Sequence, residues 1–572
     1  MNPDFMNTDL TAACERLQAG AARHAARGAA ARAAIARETA SAVAAEAVRW
    51  AEAAVGIKGR HETGGTVFEP SPAAVAEELA TGPIATLRLL LITARCLDEI
   101  ASAGRPRPSL PPRVLHGAAG SSGPESFIGI DVLPEPRLHD GAIFRGHSAT
   151  VRCVNPGGIE AFARSWSEEA RERPRAGGVA AVLGAGNVTG LAAADGIAQI
   201  FEHGRAVLLK LHPLHAPLEP VLRAALGPLV ASDLLAIIVG GAEVAAAAVQ
   251  SPLVTHVHLT GGRGAFDAVV WGGGQPRPDA APRLAKPITC ELGSVTPWVV
   301  VPGRYTPAQV RFQADMIAAS IANNTSFNCI ATKCVVTCRS WGQRDELIGL
   351  VSRRLASLPP RMAWYPGSTA AWEAVTGAAL PADGTLPWTF CTGVDPAREP
   401  RWLEKEWFVP VAVEVPLDAD SLDGFCGRAA AFTRSLPGTL AASVTAPDAL
   451  SPHDARRVES LLEHLEYGVV ARNTWSALAY SFAGVPWGGY PGGTLAEPGS
   501  GIGRVHDPLF LPLVHNAIVR GPLVAGLKPP WFPWHVRGSR LARGVAKMYA
   551  AIARGHSGLW QLATMLPDVL AG

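Results

Sequence analysis

Between Gly177 and Leu259 the sequence repeats one pattern: a short unbroken apolar run, a turn, a helix-like stretch, another apolar run. Val179 to Leu183 is the first run, Gly184-Ala185-Gly186-Asn187-Val188-Thr189-Gly190 the turn, Leu191 to His203 the predicted helix, and Ala206 to Leu211 the next strand. The alternation continues through Leu218 to Leu226, Leu234 to Val239, Val244 to Val249 and His256 to Leu259. Strands without polar alternation must be covered on both faces, and strands alternating with helices achieve this as a parallel sheet with helices on either side. A second α/β region is predicted from Lys286 to Ser500, with strands at 298–301, 335–337, 412–415 and 442–444.

The flanking segments differ. Thr8 to Ala54 is rich in Ala, Arg and Glu and lacks proline, which predicts helix, broken at Gly20 or Gly28, with the arginines on a solvated face. Gly59 to Pro72 reads as a loop. A second helix is predicted from Pro83, with Leu87, Leu90, Leu91, Ala94 and Leu97 on one face and a stop before Gly104-Arg105-Pro106. Gly104 to Pro124 reads as a linker or long surface loop. Phe127 to Asn155 alternates short apolar runs with turn residues, the pattern of β-hairpins, and Ser165 to Arg173 is a short charged helical piece with a solvated face. After Val505 comes a tail rich in Pro, Trp and basic residues, with seven Lys or Arg and no acidic residue from Val514 to Leu559. A basic amphipathic helix near Arg537 to Arg554 fits a weak membrane-surface contact, a subunit contact or a solvated helix.

At 572 residues the chain exceeds a single core, so two or three domains are expected. A net charge of +2 gives no electrostatic case for nucleic acid. Nine cysteines are an odd number and too few for a disulfide framework, which points to free thiols in a reducing, cytoplasmic compartment. The first residues lack a basic stretch followed by an apolar core, so no secretory signal is expected. The uncharged stretches from Ala176 to Ala194 and Asn473 to Ala496 are punctuated by Gly, Asn or Pro and read as buried strand, turn and helix pieces.

Several residues have chemistry to offer. The turn at Gly184 has the spacing G-x-G-x-x-x-G, one residue off the dinucleotide fingerprint, and both a phosphate-binding turn and a plain strand-to-helix turn fit. Asn187 in that turn can donate to a developing oxyanion. Lys210 closes a strand, where ligands bind in open α/β sheets, and it can hold a ribose or phosphate or simply reach solvent. Gly261 and Gly262 end another strand and allow a phosphate close to the backbone. Glu291, in apolar surroundings, is expected to have a raised pKa and to act as a general base, or else to pair within a loop. Cys329 lies in Asn323-Asn324-Thr325-Ser326-Phe327-Asn328-Cys329-Ile330-Ala331-Thr332-Lys333. It reads either as a thiol exposed at a helix start, with its thiolate favoured by the helix dipole, or as a buried loop cysteine. Cys329, Cys334 and Cys338 miss the plant-type iron–sulfur spacing, and no P-loop or H-E-x-x-H motif occurs, so no metal is expected.

Taken in order, Gly186-Asn187, Leu209-Lys210, Leu259-Thr260-Gly261-Gly262, Glu291-Leu292-Gly293-Ser294, Asn328-Cys329-Ile330-Ala331, Glu406-Trp407-Phe408-Val409-Pro410-Val411 and Pro486-Trp487-Gly488-Gly489 resemble the aldehyde dehydrogenase superfamily. The resemblance covers roughly Gly177 to Gly503. It implies an aldehyde-dehydrogenase-like α/β fold: a Rossmann-type cofactor domain (1–126 and 155–288), a catalytic α/β domain (289–486), and a small β oligomerisation element with the tail (127–154 and 487–572). It implies NAD or NADP as cofactor, an aldehyde as substrate, oxidation to a carboxylic acid, and a homo-dimer or homo-tetramer. Cys329 then matches the nucleophile, Asn187 the oxyanion amide, Glu291 the general base, Lys210 the lysine on the adenosine ribose, Gly261 and Gly262 the pyrophosphate turn, Glu406 the carboxylate on the nicotinamide ribose, and Phe408 a ring beside the nicotinamide.

Departures from the family pattern mark a divergent subfamily. Ser326-Phe327 stand where the family commonly has Gly-Gln, Cys334 where it has an arginine, and Gly293-Ser294 where it has two glycines. Leu211 and Pro213 replace the proline and ribose-binding glutamate after the lysine, so NAD and NADP are not distinguished. Trp475, Tyr480 and Trp487 suggest an apolar or aromatic aldehyde. A CoA-acylating dehydrogenase or acyl-CoA reductase and a non-catalytic nucleotide-binding relative are the alternatives. The presence of Glu291 opposes the first, and the set Cys329, Glu291 and Asn187 opposes the second.

Overall fold

The structure, a computed structural model, describes residues 3–64, 71–117, 126–273 and 281–571. Parts of the expected 59–72 loop and 104–124 linker lie outside the described residues. Two sheets organise the chain. The first has six strands in the order Gly501–Ile502, Ile288–Glu291, His256–Thr260, Val179–Leu183, Ala206–Leu211 and Leu235–Val239. All neighbours are parallel except Gly501–Ile502, which runs antiparallel against Glu291 and Cys290. The predicted βα alternation is therefore present, with element ends within a few residues of expectation. The boundary expected between 288 and 289 falls inside the Ile288–Glu291 strand, so Glu291 belongs to the first sheet.

The second sheet has ten strands: Arg113–His116, Ser126–Leu133, Ser148–Val154, Val514–Arg520, Val469–Arg472, Ala441–Thr445, Pro297–Val300, Cys334–Cys338, Val411–Leu417 and Thr389–Cys391. From Val514–Arg520 to Thr389–Cys391 all pairings are parallel. Val514–Arg520 also pairs antiparallel with Ser148–Val154, so one tail strand joins the 126–154 hairpin to the second sheet. The expectation of hairpins over 127–155 holds. Four strands of this sheet went unpredicted: Arg113–His116 lies in the expected 104–124 linker, Thr389–Cys391 and Val469–Arg472 are only three and four residues long, and Val514–Arg520 carries His515 and Asn516 near its start, which hide its apolar half.

The N-terminal helices Pro3–Ala25 and Ala29–Lys58 break at Gly28 and not at Gly20. Gly20 is there for proximity: a Cβ on it would lie 2.0 Å from the Asp233 carbonyl oxygen. Their arginines are not all solvated, because Arg32 is buried and donates to the Pro174 and Ala25 carbonyls. The helix expected from Pro83 starts earlier, as Pro72–Leu79, and continues through a π-turn, Ala80–Ile84, into Ala85–Ala103. The wider turn accommodates Pro83, which has no N–H to give and would break a tight helix. The helix Ile159–Glu172 is also less solvated than its charges suggest, since Phe162, Trp166 and Ala170 are buried.

The basic helix of the tail, Gly538–Ala553, buries Leu541, Met548 and Tyr549 against the helices 29–58, 72–79 and 85–103. Its apolar face is thus covered by the chain itself, which removes the ground for a membrane contact by that helix. Among the described residues no helix is long and apolar enough to cross a membrane.

Arg88 ties three of these parts together. It is 1% exposed, makes a two-pronged contact with Asp140 (2.6 and 2.8 Å), and donates to the Tyr549 hydroxyl (2.9 Å) and the Phe482 carbonyl. Asp140→Ala would strand this buried cation, and a loss of about 3–5 kcal/mol is expected in urea unfolding. A loss below about 1 kcal/mol would mean that the pair does not hold the tail helix in place.

Candidate active site

The loop carrying Cys329 follows the helix Pro307–Ala322, whose start is fixed by a capping box between Thr306 and Gln309. The chain then makes a 3-10 turn, Asn323–Ser326, in which Asn324, Thr325 and Ser326 all have positive φ (52°, 57° and 62°). Three successive non-glycine residues in the left-handed region cost about 1–2 kcal/mol each, so the turn must be held from outside. Lys58, itself paired with Glu78 (2.6 Å), donates to Asn324 Oδ1 at 2.7 Å. Asn324 Nδ2 donates to the Asn187 and Phe327 carbonyls (2.9 and 2.7 Å), and its backbone N–H donates to Glu77. Lys333 donates to Ser326 Oγ at 2.7 Å and to the Val409 carbonyl.

The turn delivers Cys329 to Glu291. The thiol donates to Glu291 Oε1 at 3.0 Å, and Trp487 Nε1 donates to Oε2 at 2.7 Å. The two residues come from different sheets. Glu291 ends a strand of the first, while the Cys329 loop leads into the Cys334–Cys338 strand of the second. Burial raises the Glu291 carboxyl to about 7; the Asp195 charge adds to this, and the bonds from Cys329 and Trp487 oppose it. The expectation of a raised base therefore holds. The thiol differs from the helix-start reading. Cys329 is half-buried in a turn with no helix beginning there, and burial together with the Glu291 charge pushes its pKa well up.

Asn187 is buried, and Nδ2 donates to the Phe327 carbonyl at 3.1 Å, which uses one of its two amide hydrogens. Its turn is fixed by close packing. Added Cβ atoms at Gly184, Gly186 and Gly190 would lie 2.6 Å from Ala192, 2.6 Å from the His212 ring and 2.4 Å from the Thr81 carbonyl. These glycines meet protein, so of the two readings the plain strand-to-helix turn fits. Trp50 Nε1 adds a bond to Thr189 Oγ1.

All eight sequence-selected residues, Cys329, Glu291, Asn187, Lys210, Gly261, Gly262, Glu406 and Phe408, line one cavity of about 1260 Å³. Lys210 lies near the carboxyl end of its strand, and burial lowers its pKa. Gly262 caps the helix Arg263–Trp271 and has open space where a Cβ would be, as a phosphate-binding turn requires. Glu406 is held beside Gly293, where any Cβ would collide with the carboxylate, and its Oε1 is buried without a partner. Burial raises the Glu406 pKa and lowers that of Lys333, while their opposite charges restrain both shifts. Phe408 packs with Tyr365 and Phe327 (ring centroids 5.2 and 5.9 Å apart).

The residues that depart from the family pattern have local jobs. Phe327 is fully buried against Trp364, Tyr365 and Phe408. Asn328 Oδ1 accepts from the Ile330 N–H, and its Nδ2 donates to Asn323 Oδ1. Cys334 faces the core of the second sheet. Trp475 and Trp487 are buried donors to the Ile330 carbonyl and to Glu291, outside the cavity lining. They position the thiol loop and the base, and Tyr480 packs edge-on against Trp487. Sequence reasoning passed over Lys58, Asn324, Lys333 and Asp195. Asn324 and Lys333 stood within the loop already singled out, but nothing in the sequence marks Lys58, which comes from a distant helix.

Glu291→Gln would remove the charge beside the thiol. The Cys329 pKa should fall, and alkylation by iodoacetamide near neutral pH should speed up by about tenfold for each unit of that fall. A rate equal to or below that of the unaltered protein would show that the Glu291 charge does not bear on Cys329.

No family model and no curated protein matches the chain. Solved structures do. An indole-3-acetaldehyde dehydrogenase in complex with NAD+ aligns with a TM-score of 0.59 at 17% identity, covering 90% of this chain and 89% of that one. A Mycobacterium tuberculosis aldehyde dehydrogenase with NAD+ gives 0.58 at 16%, covering 90% of each chain. The NADP-dependent glyceraldehyde-3-phosphate dehydrogenase of Bacillus halodurans C-125 with NADP gives 0.57 at 16%, covering 90% and 91%. With its two sheets and the bridging hairpin, this chain has the fold of the aldehyde dehydrogenases.

Proposed function

We propose that the protein is a divergent aldehyde dehydrogenase that oxidises an aldehyde to a carboxylic acid through a Cys329 thiohemiacetal and thioester, with NAD or NADP as hydride acceptor. The observation that carries this is the Cys329–Glu291 contact of 3.0 Å on the wall of the cavity that holds Lys210, Gly262 and Glu406.

The cavity suits a dinucleotide. It lies at the carboxyl ends of parallel strands, leaves Gly262 open, and presents an unpartnered buried carboxylate oxygen on Glu406. Lys210 would hold the adenosine ribose, Gly261 and Gly262 the pyrophosphate, Glu406 the nicotinamide ribose, and Phe408 one side of the nicotinamide. When bound, the nicotinamide accepts a hydride, which no protein side chain can do. The NAD+ and NADP complexes among the aligned structures support this reading.

The chain's own residues supply the rest. Glu291, half-protonated near neutral pH, takes the thiol proton as Sγ attacks the carbonyl carbon. The Asn187 amide and the Cys329 backbone N–H stabilise the oxyanion. Once the thioester has formed, Glu291 removes a proton from water, which attacks the acyl carbon and frees the thiol. A base held in contact with the thiol favours water over CoA as acyl acceptor. In this reading the six-stranded sheet is the cofactor lobe and the ten-stranded sheet the catalytic lobe. The hairpin arm would join subunits into a homo-dimer or homo-tetramer, and the free thiols suit a cytoplasmic protein.

An aldehyde panel assayed for NADH and NADPH formation, with and without CoA, tests the proposal. Cys329→Ala should abolish turnover of every aldehyde while the fold is kept. Glu291→Gln should release at most one equivalent of reduced cofactor, more slowly than the unaltered protein, and then stall, and Asn187→Ala should lower kcat by about 10²–10³-fold. Turnover by Cys329→Ala would sink the mechanism, and acyl-CoA as product would redirect it.

A further inference from the structure

The helix Gly538–Ala553 turns its apolar face inward, but the helix after it, Leu559–Leu570, does not. Its inner side is anchored. Met565 is buried, and a Cβ on Gly544 would lie 2.4 Å from the Met565 side chain, so the two helices meet at that point. Its outer side carries Leu559, Trp560, Ala563, Leu566, Pro567 and Leu570, all exposed, with Thr564 as the one polar residue among the exposed positions of the helix. Trp560 is 76% exposed, Leu570 70%, and Leu559 and Leu566 57% each. A surface helix ordinarily places charged and polar side chains on that side, and contiguous apolar surface there marks a contact site. Val536, also exposed, adjoins the face, because its neighbour Arg537 reaches to 3.9 Å from Asp568 on the same helix.

A line of positive charge runs beside this face. Arg540, Arg543, Lys547 and Arg554 recur at steps of three, four and seven residues, so they share one side of the helix Gly538–Ala553 and its cap. Arg540 reaches to 3.7 Å from Asp568, which places the line alongside the terminal helix. Arg543, Lys547 and Arg554 have no acidic partner among the described residues. Asp568, held near Arg537 and Arg540, is the one acidic residue after Asp507.

We propose that the outer face of Leu559–Leu570, with its rim of Arg540, Arg543, Lys547 and Arg554, docks on an anionic lipid surface. Trp and Leu on one side with Lys and Arg alongside are the parts of a helix that lies in the headgroup layer. Tryptophan favours that depth because its ring is apolar and its N–H polar. At 12 residues the helix is about 18 Å long, too short to cross a bilayer, so it lies flat. The apolar face is short and the cations are few, so neither holds alone. Binding is reversible and needs both lipid depth and lipid charge. Charge also selects between occupants. A second copy of this chain would bring the same cationic rim against itself, whereas anionic headgroups complement it.

Co-sedimentation of the full chain with lipid vesicles tests this and needs no turnover, so it stands apart from the dehydrogenase reading. The protein should bind vesicles of phosphatidylcholine with about one-third phosphatidylglycerol. Binding should weaken about tenfold or more on pure phosphatidylcholine, or when salt is raised from about 0.1 to about 0.5 M. The triple variant Trp560→Gln, Leu566→Gln, Leu570→Gln changes exposed side chains only. It should keep its melting temperature and lose about tenfold or more in affinity for the anionic vesicles. Arg543→Glu with Lys547→Glu should lose as much. No binding to the anionic vesicles, or equal binding by the triple variant, would overturn the proposal. A solution mass, read by light scattering, that halves in the triple variant would overturn it too, because a second copy would then cover the face. If the triple variant does not fold, the charge pair decides, and unchanged binding by Arg543→Glu with Lys547→Glu sinks the idea.

Discussion

The left-handed turn at Asn324, Thr325 and Ser326 is the constraint on which the site depends. L-residues avoid this conformation, and here three adopt it in succession next to the nucleophile. The turn persists because charged donors grip it from both sides: Lys58, from an N-terminal helix, holds Asn324, and Lys333, at the start of a central strand, holds Ser326. At the Ser326 position the family commonly has glycine, which adopts this backbone without strain. Here a hydroxyl that accepts from Lys333 is gained at the expense of backbone ease.

The same turn explains how two sheets share one reaction centre. Glu291 is fixed by its strand, by the Gly501–Ile502 strand alongside it, and by Trp487. Cys329 is fixed by the turn, by Trp475 at Ile330, and by Thr296, which donates to the Cys329 carbonyl. Neither group is positioned by its own neighbours in sequence alone. The tail contributes twice, through the strand at 501–502 in one sheet and that at 514–520 in the other, so it is integral to both.

What was legible in the sequence was whatever short range determines. The βα alternation, the glycine pair after Thr260 and the apolar setting of Glu291 are each written within a few residues, and the structure agrees with them. The motifs drew Cys329, Glu291, Asn187, Lys210 and Glu406 together by family likeness, and one cavity holds them. What stayed hidden was set by distance or by context. Nothing near Lys58 says that its ammonium meets Asn324, 266 residues on. Arg32, in the stretch whose arginines were expected on a solvated face, is instead buried and received by the Pro174 carbonyl. Of the two readings of the thiol the structure bears out the buried loop cysteine, because the turn holds it against a carboxylate and leads into a strand, and there burial raises its pKa.

The helix Gly538–Ala553 covers the helices 29–58, 72–79 and 85–103, which are made long before it. Synthesis proceeds from the amino end at about 5–20 residues per second, so on the order of a minute separates the two. For that interval the alanine-rich face of the early helices and the Arg88 guanidinium wait without their cover. The nascent chain must either be shielded by a chaperone or rest in a loose intermediate, and a ribosome stalled shortly before the tail would release a chain with most of its folding information and an aggregation-prone flank.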